Sequence, residues 1–233
     1  MSINVLILFS GTKSFSNNLD KSKFSVRTLD IEKKFNPYYC EDILKWNYKK
    51  DLKNFIVDYL HASPVCCHFS SLSHGNKNYI PNVELGFKLF DKSIEIIEWI
   101  KKNQNPNLKF TIENPKNKIT LDYEPLKKFK YVITSYCKYG FTYQKDTIFW
   151  YGGFDLKLKE RCRKKVECGS KKLTNGNYHR VRIGYKGRYE DQYRDSDYFK
   201  NLKKQDRYKK FTDRDLRYRI PDLLIKDIIK SLN

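Results

Sequence analysis

The chain has 233 residues, 39% of them hydrophobic and 15% aromatic, and a formal net charge of +20 from 47 Lys and Arg against 27 Asp and Glu. That length suits one domain, or one domain with a small appendage, and the aromatic side chains supply the buried area a core needs. No run reaches the roughly 20 apolar residues of a membrane-spanning helix, and Val5–Phe9 lacks the features of a signal peptide, so the expected chain is soluble and intracellular, in the cytoplasm or nucleus of a host cell.

Ile3 to Phe9 reads as a buried parallel strand, with Ser10-Gly11-Thr12-Lys13-Ser14 as the tight turn behind it. A short amphipathic segment leads to a second strand, Phe24 to Asp30, which ends in an acid. Asp42-Ile43-Leu44 falls in a turn or a short third strand. The apolar run Phe55 to Leu60 then delivers a Pro-flanked thiol loop, Ala62-Ser63-Pro64-Val65-Cys66-Cys67-His68. Val83 to Lys102 has helical periodicity, with Leu85, Phe87, Leu89, Ile94, Ile97 and Ile100 on one broad face. Lys109 to Ile112 is a short strand with Glu113 at its end, and Tyr131–Thr134 and Thr147–Trp150 are a late pair flanking the Gly140 loop. This alternation predicts an α/β fold with a doubly wound, mostly parallel sheet. In such sheets, chemistry sits at the carboxyl ends of the strands.

From about residue 155 the pattern becomes basic, aromatic and polar, and residues 151–233 hold 24 Lys and Arg against 12 Asp and Glu. Such a surface attracts polyanions, nucleic acid first. Tyr178 to Tyr218 interleaves Arg and Lys with Tyr, as suits phosphate contact and base stacking or a solvated charged face. Pro221 suits a helix start, followed by an amphipathic helix with Leu223, Leu224, Ile228, Ile229 and Leu232. The six cysteines form no framework typical of a small secreted protein, which fits a reducing compartment. Cys162, Cys168 and His179, with Cys137, raise the question of zinc, but no paired Cys-x2-Cys is present and no metal is expected.

Laid out in this order, the motifs resemble those of the C5-cytosine DNA methyltransferases, in particular the compact versions of phages and large DNA viruses. Phe9-Ser10-Gly11-Thr12 looks like the first motif, Asp30 the acid closing the second strand, and Asp42-Ile43 the third motif. Pro64-Val65-Cys66 is similar to the Pro-Pro-Cys loop, Glu113-Asn114-Pro115 to the fourth-strand acid motif, Tyr139 to Tyr143 to the eighth motif, and Arg219-Ile220-Pro221 to the closing element.

The resemblance implies a Rossmann-like fold with a small basic appendage. It also implies S-adenosylmethionine as cofactor, held by Phe9, Ser10, Gly11, Thr12, Asp30, Asp42, Ile43 and Pro64. The catalytic roles fall on Cys66 as nucleophile, Glu113 as the acid at the base edge and Lys145 as the cation near the base oxygen. A thiolate adding to carbon 6 of cytosine makes carbon 5 nucleophilic, dividing one difficult step into two. Carbon 5 of cytosine in DNA is the implied acceptor, with RNA, such as transfer RNA, the alternative. The target base must leave a duplex to reach such a site. The implied layout is a catalytic core at 1–150, a nucleic-acid-contacting region at 151–217 and a helix at 218–233 packing back on the core.

The chain departs from the family pattern at Ile7, where an acid is usual, and at Lys13, Val65, Cys67, Thr142, Gln144 and Thr147. A binding protein that keeps the fold without catalysis is therefore one rival. Asp30 also fits an ordinary turn or cap, and Cys67 becomes the reactive thiol if the loop is shifted by one residue. A different thiol enzyme is a further rival; it requires His68 or His74 as a base beside Cys66.

Overall fold

The computed structural model describes residues 2–69, 80–141, 144–163, 215 and 218–232. One sheet is built from β1 (Ile3–Leu8), β2 (Phe24–Asp30), β3 (Tyr39–Cys40), β4 (Tyr59–Ala62), β5 (Lys109–Pro115), β6 (Lys130–Ser135) and β7 (Asp146–Gly152). Its order is β3-β2-β1-β4-β5-β7-β6. Strands β1 to β5 pair in parallel, and β7 inserts antiparallel between β5 and β6. The order reverses between β1 and β4, which opens a crevice at the carboxyl ends of the strands. This is the doubly wound, Rossmann-like α/β architecture that the sequence predicts.

The continuous apolar run of β1 is what a strand covered on both faces requires. Val5 and Ile7 enter one core cluster and Leu6 and Leu8 the other, all at most 2% exposed. The described helices are α1 (Tyr48–Asp51), α2 (Val83–Asn103), α3 (Lys118–Leu121), α4 (Glu124–Lys127) and α5 (Asp222–Leu232). Helix α2 buries Leu89, Phe90, Ile94, Ile96, Ile97 and Ile100 on the Leu6 face. Asn82 caps it by accepting from the Leu85 N–H at 2.8 Å.

The opposite face is closed from a distance. Between β1 and β2 the one helical element is a single 3-10 turn, Ser16–Asn18. Its polar side chains bond the backbone locally, Asn18 Nδ2 to the Ser14 carbonyl at 2.8 Å and Ser16 Oγ to that of Lys13 at 3.2 Å. Such bonds compete with helix formation. Helix α5 fills the space instead, burying Leu224, Ile225, Ile228 and Leu232 against Val5, Ile7, Phe15 and Tyr59. Polar bonds secure it: the Ile220 N–H donates to Ser14 Oγ at 3.1 Å, and Asn18 Nδ2 to Asp222 Oδ1 at 2.8 Å.

Several boundaries differ from the expected ones. β4 starts at Tyr59, because the Phe55 N–H turns back to the Leu52 carbonyl and Asp58 binds the β1 backbone at Asn4. β5 runs through Glu113 to Pro115, so Glu113 sits inside a paired strand, opposite Phe149, rather than at its end. Of the two expected placements of Asp42 the structure has the turn, which follows β3 and in which Asp42 Oδ1 accepts from the Leu44 N–H at 3.0 Å. Phe9 falls outside β1 with a left-handed backbone, φ 58°. His74, Thr142, Tyr143, Cys168, His179 and most of the basic stretch from Tyr178 onward lie outside the described residues. Among the described residues no helix is long and apolar enough to cross a membrane, and no cluster of potential metal ligands occurs.

Candidate active site

The turn after β1 is tightly wound: Phe9, Gly11 and Lys13 all have left-handed backbone, φ 58°, 47° and 59°. Glycine adopts this region freely, whereas Phe and Lys do so at a cost of roughly 1–2 kcal/mol each. Such strain is characteristic of binding loops held by their surroundings. Here the hold comes from β2. The Ser10 N–H donates to the Leu29 carbonyl at 3.0 Å, and the Gly11 N–H to Asp30 Oδ2 at 2.7 Å. Asp30 Oδ1 accepts from the Glu32 N–H at 2.9 Å, so its carboxylate organises two loops. Burial raises the Asp30 pKa, against the pull of those two backbone bonds.

The thiol loop follows β4. Pro64 is buried, and its carbonyl accepts a hydrogen bond from Asn114 Nδ2 at 2.8 Å. Cys66 opens a 3-10 turn, Cys66–His68, and its thiol is pushed up to about 11, chiefly by burial. Lys145 pulls it down, and Glu113 and Cys67 push it up. His68 Nδ1 accepts from the Asn82 N–H at 3.3 Å, and no histidine among the described residues hydrogen-bonds the Cys66 thiol.

Glu113 is buried on β5. Its Oε1 accepts from the Tyr136 hydroxyl at 3.0 Å and lies 3.8 Å from Lys145 Nζ. The ammonium also sits 4.5 Å from the centre of the Tyr136 ring. Gln144 turns away, donating to Asp146 Oδ1 and the Cys162 carbonyl, and Thr147 is buried in β7. Lys145 is therefore the residue of this stretch whose charge reaches the thiol loop and Glu113.

One cavity of about 810 Å³ joins these parts. Phe9, Ser10, Gly11, Thr12, Asp30, Asp42, Ile43, Pro64, Cys66, Glu113 and Lys145 all line it, so the structure brings every expected site residue together. The size is that of a small-molecule site. Ser10 Oγ is buried and has no hydrogen-bond partner among the described residues, a polar atom positioned for a ligand. Ile31, 65% exposed, adds an apolar wall, and His61 and Ser63 contribute polar atoms from the end of β4. Sequence reasoning missed these three. Period-2 alternation through Tyr59-Leu60-His61-Ala62-Ser63 was the available signal, since it puts His61 and Ser63 on one face.

No protein-family profile matches the chain. A protein of Frog virus 3 (isolate Goorha) named "Probable DNA (cytosine-5)-methyltransferase" is 27% identical over 242 residues, covering 97% of this chain and 99% of the relative. Among solved structures, a prophage-encoded protein of E. coli described as a DNA modification methyltransferase overlays with TM-score 0.48 at 17% identity, covering 75% of this chain and 56% of the other. The S. pombe Dnmt2 methyltransferase overlays with TM-score 0.45 at 18% identity, covering 64% and 49%. The chain thus spans about half the length of these solved structures and nearly all of the viral relative. It is similar, at the level of family, to the C5-cytosine methyltransferases.

Proposed function

We propose that the cavity binds S-adenosylmethionine and that the protein transfers its methyl group to carbon 5 of cytosine in DNA through a Cys66 adduct. The observation that carries this is the convergence of Cys66, Glu113 and Lys145 with the Gly11 turn and Asp30 around one cavity. The donor groups fit: Asp30 keeps lone pairs for ribose hydroxyls, Ser10 Oγ awaits a partner, and exposed Ile31 suits a flat base. When bound, S-adenosylmethionine supplies an electrophilic methyl group.

The chain's own residues do the rest. Cys66 Sγ loses its proton to solvent and bonds carbon 6, and the displaced ring electron pair moves toward ring nitrogen 3. Glu113 Oε1 is occupied by Tyr136, which leaves Oε2 to take up a proton as the base enters and donate it to ring nitrogen 3, stabilising the negative charge that develops there. Lys145 adds positive charge beside it. Once carbon 5 carries the methyl group, its proton passes to solvent, the carbon 5–carbon 6 double bond re-forms, and the carbon 6–sulfur bond breaks to return the thiolate. A thiol pushed up to about 11 is protonated at rest, and Glu113 contributes to that shift. Engaging Glu113 with the base therefore favours the thiolate only when substrate is present.

Residues 1–150 would form the catalytic core, 151–217 the DNA-contacting region and 218–233 the element that closes the core. The charge of +20 suits DNA or RNA equally, and DNA is preferred on the name of the viral relative. A second reading, a binding protein without catalysis, is favoured by Ile7, buried at a position where the family carries an acid. Covalent trapping tests both. Incubation with S-adenosylmethionine and DNA carrying 5-fluorocytosine should give a denaturation-resistant adduct that Cys66→Ala abolishes. An adduct only with fluorocytosine RNA would move the substrate to RNA, and DNA binding without any adduct would favour the non-catalytic reading.

A further inference from the structure

Four polar side chains form a line under the cavity. The Tyr59 hydroxyl lies 2.5 Å from Thr111 Oγ1, which lies 2.8 Å from His61 Nδ1. His61 Nε2 lies 2.9 Å from Ser63 Oγ. Tyr59, His61 and Thr111 are buried, whereas Ser63 reaches the cavity wall. The imidazole is pinned by Phe15, stacked at 4.3 Å. Methyl transfer as derived above uses none of the four.

Counting protons gives this line a direction. Each hydroxyl has one proton to donate, and a neutral imidazole has one donor and one acceptor nitrogen. Burial keeps His61 neutral, holding it down at about 3. Thr111 is the hydrogen-bond partner of the Tyr59 hydroxyl among the described residues, and Tyr59 has no second one. The phenol proton must therefore go to Thr111 Oγ1, because the opposite arrangement strands a buried O–H with no acceptor. The Thr111 proton then goes to His61 Nδ1, and His61 Nε2–H donates to Ser63 Oγ. The Ser63 proton is left over, and the open direction is the cavity.

We propose that Ser63 is a fixed hydrogen-bond donor in the cavity wall that takes the carboxylate at the amino-acid end of the methyl donor. This rests on the S-adenosylmethionine reading. Ser63 directly follows β4 beside the β1 turn, its N–H donating to the Leu8 carbonyl at 3.3 Å. Asp30 ends β2 and Ser63 follows β4, on opposite sides of β1 and both on the cavity wall, so a donor spanning the cavity with its ribose at Asp30 would reach Ser63 with its amino-acid end. His61 pairs in register with Ile7, which offers nothing to the ammonium at that end. A donating hydroxyl with its oxygen already occupied suits the carboxylate.

Two measurements test this. Nitrogen-15 NMR of the wild-type protein, with the signal assigned by its loss in His61→Asn, should show the Nε2–H tautomer of His61. The Nδ1–H tautomer would reverse the line, make Ser63 an acceptor and overturn the proposal. Calorimetric titration then compares S-adenosylmethionine with its decarboxylated analogue, which lacks the carboxylate and keeps the amine. Ser63→Ala should weaken S-adenosylmethionine about tenfold and the analogue less than about twofold. Equal loss for both ligands, or no loss for either, overturns the Ser63 assignment while leaving the donor reading standing. Wild-type protein that binds neither ligand overturns the donor reading, and the carboxylate assignment with it.

Discussion

Asn114 and Pro64 tie two parts of the site together: the Asn114 side-chain amide donates to the Pro64 carbonyl at 2.8 Å. The strand that carries Glu113 thereby holds the loop that carries Cys66. Two groups that must meet the same ring are set by one bond between neighbours of each.

Removing that tie should cost both rate and stability. For Asn114→Ala we expect methyl transfer in single turnovers to fall by about 10²-fold, since small misplacements of reacting groups have effects of that order. Urea denaturation should register a loss of about 1–3 kcal/mol from the unpaired buried carbonyl. An unchanged rate would show that the Pro64 loop is held by other contacts.

Opposite shifts are expected at the Cys66 thiol. Glu113 pushes its pKa up and Lys145 pulls it down. Alkylation of the free protein should therefore stay slow at neutral pH and accelerate as pH rises toward about 11. Glu113→Gln should move that profile to lower pH and Lys145→Met to higher pH, although both should impair methyl transfer. Rates followed by mass spectrometry of the Cys66 peptide decide this, and parallel shifts in the two variants would contradict it.

His61 should make the fold acid-sensitive. Its pKa is lowered to about 3 by burial, below the ordinary value of 6.5, so the unfolded chain takes up the proton first. The stabilisation is complete above about pH 6.5 and is lost as pH falls toward 3, at up to roughly 1.4 kcal/mol per unit. Urea denaturation between pH 7 and pH 4 should show this slope, and His61→Asn should flatten it.

Helix α5 should contribute to the global fold as a core element. Ile228→Ala, at a fully buried position, should cost about 2–5 kcal/mol, comparable with Ile97→Ala in α2. Thermal unfolding of the two variants provides the comparison, and a loss below about 1 kcal/mol for Ile228→Ala would mean that α5 packs loosely.

Much of this molecule is legible in its sequence because periodicity and motif order are local signals. The apolar Val5–Leu8 run of β1, the 3.6-residue spacing of α2 and the Gly11 and Cys66 loops can each be read within a dozen residues. What was not legible depends on contacts between distant segments. The start of β4 was obscured because Phe55 and Val57 are as apolar as the strand, yet they enter the core from a turn. The extension of β5 through Glu113 is set by pairing with β7, more than thirty residues later. His61 passed unremarked because a lone histidine in an apolar strand acquires meaning only once Thr111 and Ser63 flank it.

The bonds from Ser14 and Asn18 to Ile220 and Asp222 span just over 200 positions. The wall that backs the Gly11 turn is thus completed by one of the longest loop closures this chain can make, a step that delays folding more than it lowers final stability. A ligand occupying the cavity would then act as a clasp between the two extremities of the described chain. Its binding energy would register as resistance of the entire molecule to unfolding, and saturating donor should raise the global melting temperature.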